Sequence, residues 1–155
     1  MIHLFRHSHA GARRDWDGPD QHRPLSERGR RQSEAVAEYL AAAGVTAILT
    51  SPYVRCVQSV ESLAAATGAA VVVAAALAEG TAGDRVDELV EQVDPGTVLC
   101  SHGDVISGLI GRLAADGAHL DGGQVWEKAS IWHLERNQRG RVVRGRYVPP
   151  PVTAS

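Results

Sequence analysis

Residues 97–117, TVLCSHGDVISGLIGRLAADG, pass from an apolar β-strand into an amphipathic helix within a few residues. The strand is the run TVLCS, which is short and bounded by a turn before it. In the following segment, helical spacing separates the apolar side chains Ile106, Leu109, Ile110 and Leu113. A strand followed directly by a helix is the repeating unit of an α/β domain, so this segment predicts one such unit.

The same unit recurs along the rest of the chain. Strands are predicted at residues 1–5, 45–49, 69–73 and 97–101, and helices at 24–44, 51–68, 83–93 and 103–117. Ser26 and Ser51 are the predicted N-caps of the first two helices. Polar residues 9–23 predict a long loop, and residues 129–148 predict a β-hairpin that turns near residues 138–140. The alternation predicts an α/β fold, a three-layer α/β/α sandwich with a mainly parallel central sheet.

Length and charge restrict the range of functions. With 155 residues, the chain is long enough for one domain with a substantial core, predicted at residues 1–148, followed by a flexible C-terminal tail at 149–155. Its formal net charge of −2 gives no general attraction to a nucleic acid polymer or a membrane. Cys56 and Cys100 match no zinc spacing, and no signal peptide or long apolar run is visible, so we expect a cytoplasmic protein. Nothing in the sequence indicates an oligomeric state.

Reactive side chains follow the predicted strands. Arg6 and His7 follow the first strand, Arg55 the second, Glu79 the third and His102 the fourth. Because ligands bind outside the carboxyl ends of the strands in an open α/β sheet, we expect these five side chains to converge at one edge.

This set of residues suits phosphoryl transfer. Two guanidinium groups can hold phosphoryl oxygens in bidentate contacts, and helix N-termini add amide donors. One imidazole can attack phosphorus while a second hydrogen-bonds the oxygens. A nearby carboxylic acid can protonate the leaving group and later activate water. No metal or other cofactor is required by this chemistry.

A metal site is a competing interpretation of the first strand. The strand period of two places His3, His7 and His9 on one face, in an arrangement suited to ligating a metal. The amidohydrolase barrel suggested by such histidines needs roughly 250 residues, which exceeds this chain. No further aspartate or histidine arrangement completes a site, so the metal hypothesis ranks below phosphoryl transfer.

Four ordered motifs carry a family resemblance: FRHSHAG (5–11), PLSERGRRQ (24–32), SPYVRCVQS (51–59) and CSHGD (100–104). Together they resemble the histidine phosphatase superfamily, which has the phosphoglycerate mutase-like fold. The short chain is similar to the SixA-type branch. Residues 10–32 also resemble the phosphatase-like domain of some actinobacterial MutT-type Nudix proteins.

The resemblance implies a role for each matching residue. It implies that His7 becomes phosphorylated, that Arg6, Arg55 and His102 hold the phosphoryl group, and that Glu79 donates the proton. Ser8, His9 and Arg13 stand where relatives carry glycine, an acidic residue and, in mutase-like members, asparagine, which makes them candidate substrate-binding residues.

The implied activity is that of a metal-independent phosphatase with a phosphohistidine intermediate. Its substrate is either protein phosphohistidine or a small phosphoester such as a nucleotide. The alternative is a non-catalytic domain of the same fold that binds a phosphorylated ligand for regulation.

Overall fold

A seven-stranded sheet lies between two pairs of helices in the computed structural model, which describes residues 1–152. The strands are β1 (Ile2–Arg6), β2 (Ala47–Thr50), β3 (Val71–Val73), β4 (Thr97–Ser101), β5 (His119–Asp121), β6 (Ile131–Arg136) and β7 (Val142–Val148). The helices are α1 (Glu27–Ala41), α2 (Val54–Thr67), α3 (Gly83–Gln92) and α4 (Gly103–Ala115). Short 3-10 helices occupy Arg13–Asp15, Asp20–His22 and Ala75–Leu77.

The strand order is β3-β2-β4-β1-β6-β7-β5. The four strands from β3 to β1 run parallel, whereas β6 is antiparallel to both β1 and β7. β6 and β7 form the predicted hairpin, and it continues the sheet beyond β1. The predicted mainly parallel sheet is therefore confirmed.

Alternation along β1 divides the core between the two faces of the sheet. Leu4 joins the apolar cluster formed with α3 and α4, whereas Phe5 joins the cluster formed with α1 and α2. Both side chains are at most 1% exposed. Since successive strand residues point to opposite faces, one strand supports both helix layers, and the predicted three-layer sandwich is confirmed.

Besides shifts of a few residues at the ends of elements, such as α1 at Glu27–Ala41 against the predicted 24–44, two local details differ from the sequence prediction. Ser51 does not cap α2, because the helix begins at Val54 with Tyr53 as its N-cap. β5 was not predicted, since its three residues carry no apolar period and it pairs only with the edge of β7. The Ser26 cap is confirmed by its side chain, which accepts a hydrogen bond from the amide of Gly29.

The last strand, β7, ends at Val148. Residues 149–152 have no regular secondary structure, and residues 153–155 of the predicted tail lie outside the described residues. The flexibility of 149–155 therefore stays a prediction. No helix within residues 1–152 is long and apolar enough to cross a membrane.

Candidate active site

His7 and His102 lie side by side at the carboxyl ends of adjacent strands. His7 follows β1, and its amide donates to the carbonyl of Ser101 at the end of β4, over 3.0 Å. His102 follows β4 and is the N-cap of α4. The two ring centroids are 5.3 Å apart. The parallel pairing of β1 with β4 therefore brings together two residues that are far apart in the sequence.

Hydrogen bonding determines which nitrogen of His7 is free. Its Nδ1 lies 2.8 Å from the backbone oxygen of Ser8. Because a carbonyl can only accept, Nδ1 carries the hydrogen, and Nε2 of the neutral ring has a free lone pair. Burial lowers the pKa of His7 well below its ordinary value, and the nearby positive charges of Arg55 and Arg6 add to this effect. His7 is thus neutral, with Nε2 as a potential nucleophile.

His102 is oriented by Ser51. The Ser51 hydroxyl oxygen lies 2.8 Å from Nε2 of His102 and accepts a hydrogen bond from the Tyr53 amide over 3.3 Å. Nδ1 of His102 is buried and has no hydrogen-bond partner within the described part of the chain. If Ser51 donates to Nε2, Nδ1 carries the hydrogen and is a free donor.

Two arginines carry further donors near His7 and His102 that have no partner among residues 1–152. Arg6 donates through one terminal nitrogen to the carbonyl of Trp126, over 2.6 Å. Arg55 is 1% exposed and donates to the backbone oxygen and the carboxylate of Asp20, over 2.8 and 3.0 Å. Among residues 1–152, Nε of Arg6 and Nε of Arg55 are buried without a partner. Unsatisfied buried donors are costly, so their clustering around His7 indicates an anion-binding site.

Gly103 makes room for Arg6. A Cβ atom at this position would lie 2.8 Å from a terminal nitrogen of Arg6 and 2.9 Å from the central guanidinium carbon. The glycine of the CSHGD motif therefore lets the guanidinium lie against the first turn of α4.

A cavity of about 440 Å³ opens over His7. Its charged walls are strongly cationic and are formed by Arg6, Arg13, Arg23, Arg55 and Lys128, with Glu79 and Asp104 as the acidic members. Burial, followed by the charges of neighbouring arginines, lowers the pKa of Lys128. Such concentrated positive charge favours a multiply negative ligand.

Glu79 lies at the rim of this cavity. Its carboxylate is 3.3 Å from Arg13 and 3.7 Å from Arg55. The neighbouring amide of Gly80 donates to the carboxylate of Asp104 over 2.8 Å, which ties the Glu79 loop to α4. Arg6, His7, Arg55, His102 and Glu79 are thus brought together as the sequence predicted.

Of the three predicted substrate-binding residues, only Arg13 lines this cavity. The prediction that Ser8 binds substrate is wrong. Its side chain is fully buried, and its hydroxyl lies 2.8 Å from that of Ser33 on α1, so it cannot reach a ligand. His9 does not line the cavity either, and its Nδ1 lies 2.7 Å from the hydroxyl of Ser26 at the start of α1. A contact of His9 with substrate stays a prediction.

The three histidines of the metal hypothesis do not converge. Nδ1 of His3 lies 2.7 Å from Nδ1 of His133, and Nε2 of His133 lies 2.7 Å from the Tyr39 hydroxyl, within the layer between the sheet and α1. His9 contacts Ser26. Within the described residues, no three His, Cys, Asp or Glu side chains are arranged to hold a metal ion.

Asp20 and Arg23 were missed by the sequence reasoning. Asp20 accepts from Arg55 and from Nε of Arg23, each over 3.0 Å, and lies 3.3 Å from Nε of Arg13. Partial burial would raise the pKa of Asp20, but the hydrogen bond of Arg23 and the charge of Arg55 outweigh it and lower the pKa. In the sequence, an ion pair between Asp20 and Arg23 is indicated only by their three-residue spacing just before the PLS run.

The fold and this site define a class of protein, and comparison with known families identifies the same class. The family model described as histidine phosphatase superfamily (branch 1) matches residues 2–86. The chain belongs to this superfamily, as its four motifs predicted. The predicted superfamily is therefore confirmed.

Individual relatives are consistent with this assignment. An 8-oxo-(d)GTP phosphatase of Mycolicibacterium smegmatis is 33% identical over 156 aligned positions. The alignment covers 96% of this chain and 48% of that protein. The chain thus spans about half the length of this curated relative. The match accounts for nearly all of the present chain.

Solved structures share the fold at low sequence identity. A SixA protein histidine phosphatase complexed with tungstate has a TM-score of 0.72 and 17% identity, with coverage of 97% of this chain and 96% of that one. The putative phosphohistidine phosphatase SixA from Agrobacterium tumefaciens has a TM-score of 0.73 and 20% identity, with coverage of 96% and 97%. A mycobacterial glucosyl-3-phosphoglycerate phosphatase has a TM-score of 0.72 and 19% identity, with coverage of 98% and 99%. These similarities confirm the phosphoglycerate mutase-like fold.

Proposed function

We propose that the protein is a metal-independent phosphatase that hydrolyses phosphomonoesters through a phosphohistidine at His7. The observation that carries the proposal is the protonation pattern of His7. Its Nδ1 hydrogen is committed to Ser8, so the neutral ring presents a nucleophilic Nε2 below the cationic cavity.

The first step transfers the phosphoryl group to the enzyme. Nε2 of His7 forms a bond to phosphorus while the bond from phosphorus to the leaving oxygen breaks. Nε of Arg6, Nε of Arg55 and Nδ1 of His102, which have no partners among residues 1–152, supply hydrogen bonds to the phosphoryl oxygens. Preorganised donors of this kind stabilise charge in the transition state, each by on the order of 100-fold in rate.

Glu79 is the proposed proton carrier. In its protonated form it gives a proton to the leaving alkoxide, and as a carboxylate it then takes one from the attacking water. That water breaks the bond between nitrogen and phosphorus, which releases phosphate and restores neutral His7. The place of Glu79 in the wall of the cavity that also contains His7 supports this role.

For the substrate, we favour a small phosphoester, specifically a nucleotide, over protein phosphohistidine. The mycobacterial relative that matches 96% of this chain is named an 8-oxo-(d)GTP phosphatase, which supports a nucleotide. The SixA structures are less than 25% identical and support the fold alone.

The test is turnover together with trapping of the intermediate. The wild-type chain, His7→Ala and the control His119→Ala, altered on the exposed edge strand β5, are assayed with nucleotides, β-glycerophosphate and a phosphohistidine protein, with and without chelator. We expect turnover that survives the chelator, and acid-labile phosphate on the wild type and the control but not on His7→Ala.

Full turnover by His7→Ala would reject the proposed mechanism. Binding of inorganic phosphate by the wild type without turnover of any substrate would favour the alternative, a regulatory domain that only binds phosphorylated ligands.

A further inference from the structure

A second cavity adjoins the catalytic one. It has a volume of about 220 Å³ and is formed mainly by Ala10, Ala12, Asp15, Trp16, Pro24 and Leu25. We call it the Trp16 slot. Gly11, Ala12 and Arg23 line both this slot and the cavity over His7. The Trp16 slot therefore lies next to the cavity over His7, on the side where the leaving group of a bound phosphate ester could extend.

The wall shared by the two cavities is held in place by Arg23, which is only 8% exposed. Its guanidinium donates to the carbonyl oxygens of Ala10 and Gly11, over 2.7 and 3.2 Å, and to Asp20 over 3.0 Å. The backbone that lines both the slot and the cavity is thus fixed before a ligand binds. Preorganisation of this kind reduces the entropic cost of binding.

Trp16 presents an apolar ring to the slot. Its indole nitrogen donates to the carbonyl of Pro19 over 2.9 Å, so the polar edge of the ring is already satisfied. The remaining aromatic surface, together with Pro24 and Leu25, forms walls suited to a flat aromatic group. Bases stack on such side chains in many nucleotide-binding proteins.

Asp15 is the acidic side chain of the slot. Its carboxylate has no ion pair or hydrogen bond with any residue in the described range 1–152. A free carboxylate offers two acceptor oxygens. The Watson–Crick edge of guanine carries two adjacent donors, N1–H and the N2 amino group, which match these oxygens. Adenine and cytosine place an acceptor beside their single amino group, and that acceptor would face the carboxylate.

We propose that the Trp16 slot binds the base of a nucleoside 5′-phosphate and selects guanine, with stacking on Trp16 and hydrogen bonds to Asp15. This inference rests on the proposed phosphatase function, and it names the leaving group that the active site accepts. Trp16 and Asp15 act on binding, whereas His7 and the arginines act on the phosphoryl group.

The experiment compares steady-state kinetics of the full chain with guanosine 5′-monophosphate, cytidine 5′-monophosphate and β-glycerophosphate, which lacks a base. Trp16→Ala should raise KM for the guanosine substrate by about 10- to 100-fold and leave KM for β-glycerophosphate unchanged. Trp16→Phe, which keeps an aromatic ring, should retain most of the affinity.

Asp15→Asn tests the choice of base. It should reduce the preference for guanosine over cytidine monophosphate by about tenfold. Asp17→Asn is the matched control, because Asp17 is an exposed acid of the same loop that does not line the slot. We expect it to leave all three substrates unchanged.

Several results would overturn the inference. One is an equal effect of Trp16→Ala on guanosine monophosphate and β-glycerophosphate. Another is a wild type that hydrolyses β-glycerophosphate or a phosphohistidine protein but no nucleotide, which would leave the phosphatase proposal intact. Failure to hydrolyse any of these substrates would instead reject the proposed function and the inference with it.

Discussion

The hydroxyl of Ser51 lies 2.8 Å from Nε2 of His102 and leaves Nδ1 of that ring as a buried group without a partner in the described chain. The serine comes from the end of β2 and the histidine from the end of β4, two neighbouring parallel strands. Ser51 is therefore a positioning residue, which acts through the orientation and tautomer of His102.

Replacement of this hydroxyl tests its positioning role. Ser51→Ala should lower kcat by roughly 10- to 100-fold, less than loss of a direct phosphoryl donor would cost. Ser51→Thr keeps a hydroxyl and should recover much of the activity. Thermal unfolding of each variant separates this effect from a loss of stability. If Ser51→Ala turns over substrate as fast as the wild type, His102 does not depend on Ser51.

The proposed acid role of Glu79 predicts a dependence on the leaving group. Glu79→Gln should slow hydrolysis of β-glycerophosphate strongly, by about 100-fold, because an alkoxide must be protonated as it leaves. p-Nitrophenyl phosphate releases a stable phenolate and should be affected much less. Equal losses with both substrates would show that Glu79 acts by another means, for example through its contact with Arg13.

Replacement of Asp20, which holds Arg23 and Arg55 by ion pairs, should reduce activity. Asp20→Asn removes the negative charge that holds Arg55 and Arg23. We expect kcat/KM for a phosphomonoester to fall by roughly 10- to 100-fold, since small misplacements of catalytic groups have effects of this size. Asp17→Asn again serves as the control. An active Asp20→Asn enzyme would mean that substrate alone can orient Arg55.

A side chain added at Gly103 should displace Arg6 and reduce activity. In Gly103→Ala, the new methyl group would lie 2.8 Å from Arg6, whose guanidinium is also held by the carbonyl of Trp126. Arg6 must shift, so we expect a fall in kcat of about tenfold or more, with little change in the unfolding temperature. Gly111→Ala on the same helix meets no atom within 4 Å and is the matched control.

The buried pair His3 and His133 should make the stability of the fold, rather than catalysis, depend on pH. Burial lowers the pKa of each from 6.5 to about 4. Between pH 6.5 and about pH 4, the unfolded chain binds more protons than the folded chain. The free energy of unfolding should therefore decrease as the pH falls through this range. The expected contribution of the pair is on the order of 1 kcal/mol per pH unit.

The variant His3→Gln removes one of the two titrating groups. Denaturant unfolding over this pH range should show a shallower dependence for His3→Gln than for the wild type. His119→Gln, altered at an exposed position, should keep the wild-type slope. An identical slope in all three proteins would show that the pair does not govern acid unfolding.

The sequence alone determined the layered fold and which residue types meet at one edge of the sheet, for a physical reason. The apolar periods of strands and helices are local, and parallel strands align their carboxyl ends, so Arg6, His7, Arg55, Glu79 and His102 had to meet at one edge. Their residue types already indicated phosphoryl transfer.

Only the tertiary structure decided which atoms are free to react. Ser8 was expected at the substrate but is buried against Ser33, and Ser51 was expected to cap a helix but orients His102. Asp20 reaches Arg55 through a loop without a sequence period. Hydrogen-bond partners and burial depend on contacts between distant segments, and these contacts assign the free lone pair of His7 and the unpartnered donors around it.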